Sequence, residues 1–280
     1  MIWLLPAAGC SIAVALILKV SEEGRGNRLL LIGINYTVAA VLAFLLIRGD
    51  VYWPGWKAFT LGASAGVDFV LGFLLMLSGM SMGPLAVPVT VMRLSVAVPI
   101  VASIMIWNER PGIYPSMGIV LGIFAIILFG AGLSDGRSRE SSGRGYWFVI
   151  VSLFLVMGAG DLLLKAYREI IPGMDRIFFT FILFTTAAVM VWIMALKKGF
   201  VFNTKTFLLG ALLGVPNLYS TIFMLKALET VPASKAFPFV NLTVIFVSTL
   251  IGFAVWRERL GRVAMIGLVM AAIAIVLLPL

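Results

Sequence analysis

Leu61–Leu128 reads LGASAGVDFVLGFLLMLSGMSMGPLAVPVTVMRLSVAVPIVASIMIWNERPGIYPSMGIVLGIFAIIL. Two apolar segments meet at a very short turn, a charged cap follows, and a third apolar segment closes the stretch. The same layout returns from Leu209 to Leu277. At a shift of 148 residues, Leu61, Gly62, Ala63, Gly66, Val67, Met76, Leu77 and Pro84 meet Leu209, Gly210, Ala211, Gly214, Val215, Met224, Leu225 and Pro232. One inserted residue later the shift is 149. Trp107, Glu109, Arg110, Gly112, Gly118, Ala125, Ile126 and Leu128 then meet Trp256, Glu258, Arg259, Gly261, Gly267, Ala274, Ile275 and Leu277. Shared glycines, prolines, tryptophans and charges are not what a mere excess of Leu and Val produces. The chain is read as an internal duplication.

Composition sets the solvent. Of the 280 residues, 62% are hydrophobic and 12% are charged, against roughly 25% charged in a soluble domain. Apolar runs of about twenty residues recur along the chain, each long enough to cross a hydrocarbon layer of about 30 Å. The fold expected is an all-α membrane protein, because open strands would leave backbone groups unpaired in lipid. Ten spans are read: Ile2–Val20, Leu29–Ile47, Ala58–Met80, Leu85–Trp107, Tyr114–Leu133, Tyr146–Tyr167, Ile177–Leu196, Phe207–Leu228, Ala233–Trp256 and Val263–Leu280. The first run lacks a basic start and reads as a span, not a cleaved signal.

The linker Ser134–Gly145, SDGRSRESSGRG, separates residues 1–133 from residues 146–280, five spans on each side. Five is odd, so the second copy enters the membrane the other way up. The architecture expected is two inverted five-helix repeats. Trp3, Trp53, Trp56, Trp107, Trp147, Trp192 and Trp256 all fall at or near expected span ends, where amphipathic rings prefer the headgroup level. Pro84 and Pro232 are placed at the first helical position of spans four and nine. Gly62/Gly66 and Gly210/Gly214 form GxxxG pairs that let another backbone come close. They read either as tight packing or as a sliding contact between the halves.

The net charge of +9 sits in short loops, where it meets lipid headgroups; no aromatic-basic patch suits nucleic acid. The absence of histidine removes histidine-based metal sites, proton relays and catalytic triads. Cys10, the single cysteine, lies inside span one and forms no internal disulfide. No metal or cofactor is expected. No Walker motif is present, so ATP is not the direct energy source.

Charged groups in the hydrocarbon layer cost at least about 2.5 kcal/mol each and need a reason. Asp68 lies near the middle of span three and Arg93 well inside span four. The turn between them centres near Ser81–Gly83, about fourteen residues after Asp68 and about eleven before Arg93. Their depths therefore differ by only about 4–5 Å. They are expected to face each other or a shared polar cavity, either locking the hairpin or anchoring a substrate. Asp161 and Lys165 sit at i and i+4 in span six and read as an ion pair, with Lys165 snorkelling from the span end. Asp161 lies deeper and is the better functional candidate. Lys226 and Lys235 are read as interfacial.

Asn217 and Tyr219 fall near Asp68 when the repeats are superposed, and Asn241 in span nine sits at a depth similar to Arg93. Asn35 and Tyr36 lie in span two. Phe69, Phe73, Phe223 and Phe237 offer apolar walls. The candidate substrate-binding set is Asp68, Arg93, Asp161, Asn217, Tyr219, Asn241, Phe69 and Phe237, with Asp68 and Asp161 as proton-coupling candidates. One acid, one base, amides and aromatics suit a small amphiphilic molecule such as an amino acid. Glu109 and Glu258, beside Arg110 and Arg259, read as caps on the loop to the next helix.

This pattern resembles the EamA type of the drug/metabolite transporter superfamily. The residues that carry the resemblance are Trp107-Asn-Glu109-Arg110, Trp256-Arg-Glu258-Arg259-Leu260-Gly261 and Leu225-Lys-Ala-Leu-Glu-Thr-Val-Pro232-Ala-Ser. Lys19 and Lys165, near the ends of the first span of each half, fit the family habit. The first span departs from it, lacking the common Trp-Gly near its start. The resemblance implies a central cavity lined by spans three, four, eight and nine, with spans one and six also exposed. It implies alternating-access movement of a small metabolite by a secondary transporter in the cell membrane, by export or exchange. A proton-coupled exporter of organic cations is the second transport reading. A membrane-embedded enzyme or scaffold is the reading from another class. Expected partners are a small-molecule substrate and the bilayer, with the protein as a monomer or homodimer and no nucleic acid.

Overall fold

The computed structural model describes residues 1–23, 27–47, 55–83, 86–133, 143–171, 175–198, 202–256 and 261–280. Among these residues every regular element is an α-helix: α1 (Leu4–Glu23), α2 (Arg28–Leu46), α3 (Trp56–Met82), α4 (Ala86–Leu94), α5 (Ala97–Ile106), α6 (Ile113–Leu133), α7 (Arg144–Ile170), α8 (Arg176–Lys198), α9 (Thr204–Ala227), α10 (Ala233–Trp256) and α11 (Arg262–Leu277). Nine apolar segments are long enough to cross a membrane, with α4 and α5 counted together as Val87–Ile106. The shorter α11 is a further apolar helix, below that length.

Directions read from contacts settle the threading. In a chain that crosses ten times, spans of unlike parity run antiparallel and spans of like parity run parallel. Gly33 of α2 packs on Val191 and Trp192 of α8, while the Phe44 ring lies tilted against Phe181 at 5.7 Å; α2 rises as α8 falls. Gly118 of α6 meets Leu277 and Leu278, and Gly267 of α11 meets Ala125 and Phe129; this pair is antiparallel too. The second span of each half and the fifth span of each half thus lie against their own repeat mates, upside down. By contrast α3 runs parallel to α8, and α9 parallel to α2, along the GxxxG contacts described next. All four directions fit ten alternating crossings with α4 and α5 as one.

The two GxxxG pairs seat reciprocally. Gly62 and Gly66 of α3 lie against Phe179, Ile182, Leu183, Thr186 and Ala187 of α8. Gly210 and Gly214 of α9 lie against Leu31, Ile34, Asn35 and Val38 of α2. A methyl group added at Gly210 or Gly214 would come within 2.8 Å of the Leu31 or Asn35 carbonyl oxygen. Lipid tails are as apolar as leucine, so close approach of small residues, not burial from water, holds such helices together.

The chain forms two compact units, neither of which coincides with a sequence repeat. One contains residues 71–162 and 230–280; the other contains residues 2–70 and 163–229. The first gathers α4, α5, α6, α10 and α11 with parts of α3 and α7, around Ile100, Leu153, Phe237 and Leu242. The second gathers α1, α2, α8 and α9 with the rest of α3 and α7, around Phe179, Phe184, Leu213 and Leu225.

Three details differ from the sequence expectation. Span four is two helices, because Pro99 has no N–H for the Ser95 carbonyl. Val98 takes that carbonyl instead at 2.9 Å, and Ser95 and Val96 lie between the two helices. Trp192 makes a contact the sequence did not show: its indole N–H donates to the Thr37 hydroxyl at 2.8 Å, across the α2–α8 seam. Pro232 precedes the first helical residue of α10, and its carbonyl accepts from Lys235 and Ala236. Residues 134–142 of the linker, Pro84, Trp53 and Glu258 lie outside the described residues.

Candidate functional site

Arg93 stands in the last turn of α4, six residues before Pro99. The C-terminal end of a helix carries partial negative charge, and a cation there is favoured. Its guanidinium donates from Nη1 to the Asn241 side-chain oxygen at 3.1 Å. The Asn241 amide nitrogen donates back to the Phe237 carbonyl at 3.2 Å. That second bond fixes the amide with its oxygen toward Arg93. Asp161 of α7 acts on Arg93 electrostatically. The first unit therefore brings together Arg93, Asn241 and Asp161 from three helices, with one base, one acid and one amide among them. The Phe237 side chain is packed in the core at 2% exposure. Arg93 and Asn241 are also repeat mates, 148 residues apart.

Asp68 falls in the other unit. It acts electrostatically on Tyr36 of α2, and the Tyr36 hydroxyl lies 3.4 Å from the Phe69 carbonyl. Among the described residues the Asp68 carboxylate makes no ion pair. Phe69 meets Phe184 edge to face at 6.1 Å. Asn35, 2% exposed, accepts from the Asn217 amide at 3.1 Å. This amide pair links α2 to α9 and sits beside the Gly214 seat. Tyr219 turns elsewhere. It stacks on Phe223 at 5.8 Å, Phe223 on Trp3 at 5.9 Å, and the Lys226 ammonium lies 3.6 Å from the Trp3 ring centre.

Lys165 does not snorkel. It is 5% exposed and donates to Glu169, one turn later, at 2.8 Å. Arg176 pairs with Glu229 at 2.9 Å, joining the start of α8 to the turn that follows α9.

Glu109 is a cap, but not on its own loop. Both carboxylate oxygens accept from the start of α10: the Ala233 N–H at 3.0 Å, the Ser234 N–H at 2.9 Å and the Ser234 hydroxyl at 2.7 Å. Pro232 has no side-chain acceptor, so α10 takes its cap from a residue of the other repeat. Asn108, with φ 52°, turns the chain so that Glu109 can reach. Sequence reasoning missed this pairing, the helix break and the Trp192–Thr37 bond. Pro99 was the visible signal for the break.

Residues 143–279 match the EamA-like transporter family. This half of the chain is EamA-like. Members of that family are membrane transporters of the drug/metabolite type, and this chain has nine segments, among the described residues, long and apolar enough to cross a membrane. An uncharacterised protein of Haemophilus influenzae is 23% identical over 275 residues, covering 95% of this chain and 93% of that one. A solved crystal structure superposes with a TM-score of 0.80 at 13% identity, covering 99% of this chain and 98% of that one. At that identity the likeness speaks for the fold alone. The EamA-like match covers α7–α11; Arg93 and Asp68 belong to the half tied to it by the internal repeat.

Proposed function

We propose that the protein is a secondary-active transporter of the cell membrane. It moves a small amphiphilic metabolite of amino-acid type by alternating access, through export or exchange. The observation that carries this reading is Arg93 at the break between α4 and α5, with Asn241 and Asp161 beside it. Discontinuous helices at mid-membrane are where transporters of inverted-repeat design hold their cargo. A guanidinium presents five N–H donors in a planar fork that suits a carboxylate, and Asn241 takes one of them. Asp161 keeps the cluster close to neutral when empty and offers a partner to a substrate amine. The test is a ligand-dependent thermal shift on purified protein. Amino acids should raise the melting temperature, and sugars, nucleosides and quaternary amines should not. A shift from monovalent cations alone would end the reading.

Asp68 favours a second reading, the proton-coupled export of organic cations. Its carboxylate has no ion-pair partner among the described residues and lies near the Tyr36 ring. Flux from proteoliposomes with and without an imposed pH gradient separates the two. Indifference to pH removes the proton-coupled version.

A further inference from the structure

Tyr219, Phe223 and Lys226 follow one another at helical spacing on one face of α9. Trp3, just ahead of α1, lies against that face, and all four residues belong to one compact unit. The three rings form a column. Tyr219 stacks on Phe223 at 5.8 Å with 29° between their planes, and Phe223 on Trp3 at 5.9 Å with 17°. The Lys226 ammonium then sits 3.6 Å from the Trp3 ring centre. From Tyr219 to Lys226 the column climbs about 10 Å of helix toward the end of α9.

Two observations make the outer end of this column a site as well as a packing contact. All four side chains are half-buried, so the column is open along its side. Lys226 also has no acid to hold it. Glu229, one turn on, pairs with Arg176 at 2.9 Å, and among the described residues the Lys226 ammonium makes no ion pair and no hydrogen bond. Its charge rests on the indole face. The ring quadrupole attracts an ammonium within about 6 Å of the ring centre, and tryptophan does so best. The lysine stem is flexible and its head is strongly hydrated, so water competes for it. The Trp3 face suits an alkylammonium group, and here it holds the protein's own.

We propose that the Trp3 ring, backed by Phe223 and Tyr219, is a binding site for the alkylammonium group of a ligand, with Lys226 as its internal competitor. The ligand's ammonium takes the ring face and Lys226 swings out to water. A neutral ligand of the same shape gains nothing from the quadrupole and leaves Lys226 in place. The site is separate from the Arg93 cluster, whose residues belong to the other compact unit.

Saturation-transfer NMR on the detergent-purified protein tests this with two probes. One is n-butylammonium, the lysine side chain as a free molecule; the other is 1-butanol, its neutral match. Butylammonium should bind about threefold more tightly than butanol, or better. Lys226→Gln, checked for an unchanged melting temperature, should raise butylammonium affinity by about threefold or more and leave butanol unchanged, because the competing ammonium is gone. Trp3→Leu should erase the preference for the cation, and Trp3→Phe, which keeps a ring, should retain part of it. Equal binding of the two probes overturns the proposal, and so does an unchanged or weaker affinity for butylammonium in Lys226→Gln. A preference that survives Trp3→Leu also overturns it, by placing the amine at Asp161 or Asp68. Should Trp3→Leu fail to fold, the gain from Lys226→Gln decides alone. The amino-acid thermal shift reads the Arg93 cluster, so either proposal can fail without the other.

Discussion

Arg93 is where residue-scale chemistry is most exposed to test. Lysine would keep the charge and lose the planar fork. Arg93→Lys is expected to fold, with a melting temperature close to the parent, and to bind a carboxylate-bearing substrate at least tenfold more weakly, about 1.4 kcal/mol. Calorimetric titration checks this. Equal affinity would show that the guanidinium only orders α4. Asp68→Asn removes a carboxylate without changing its shape. If Asp68 couples protons, the variant should still exchange substrate across liposomes but no longer respond to a pH gradient. Of the residues named from sequence, the structure gathers Arg93, Asn241 and Asp161, and it gathers Asp68, Phe69 and Tyr36. Span depth alone suggested that Arg93 and Asn241 were level. It could not say that the amide of Asn241 is held by Phe237, because that depends on a side-chain rotamer and not on depth.

At the scale of single helices the informative cases are the ends and the breaks. The cap from Glu109 to α10 carries three bonds, where an ordinary N-cap is worth about 0.5–2 kcal/mol. Glu109→Ala should therefore sit at the upper end of that range and lower the melting temperature by several degrees. Ser234→Ala, which loses only the hydroxyl bond, should lower it less. An equal loss from both would place the contribution in the hydroxyl alone. Glycines give the second contrast. Gly214→Ala drives a methyl group toward the Asn35 carbonyl and should destabilise by about 1–3 kcal/mol. Gly9→Ala meets nothing within 4 Å and should gain up to about 1 kcal/mol of helix propensity. Thermal melts in one detergent read both. Helix ends were legible to within a few residues, since apolar length marks them. The break at Ser95 was not read, because the apolar run continues unbroken through Pro99 and only the missing N–H marks the spot.

For the whole molecule, the inverted arrangement makes a prediction about sides. With Cys10 replaced by serine, a cysteine at Gly143 and one at Leu280 are separated by five crossings. A membrane-impermeant thiol reagent should label them from opposite faces of the same vesicles. Labelling from one face would break the count of ten.

The amino-acid order by itself determined the solvent, the helical class, the duplication and, through the odd number of spans, the inversion. These are sums over many residues, so no single contact decides them. Tertiary structure alone decided which repeat seats on which, that α10 is capped from the other half, and that the compact units cut across the repeats. The cause is physical. Hydrophobic periodicity tells a membrane helix to avoid water, but in lipid every apolar face is equally content. Only backbone approach at glycine, and the few polar groups that must find partners, select the neighbours.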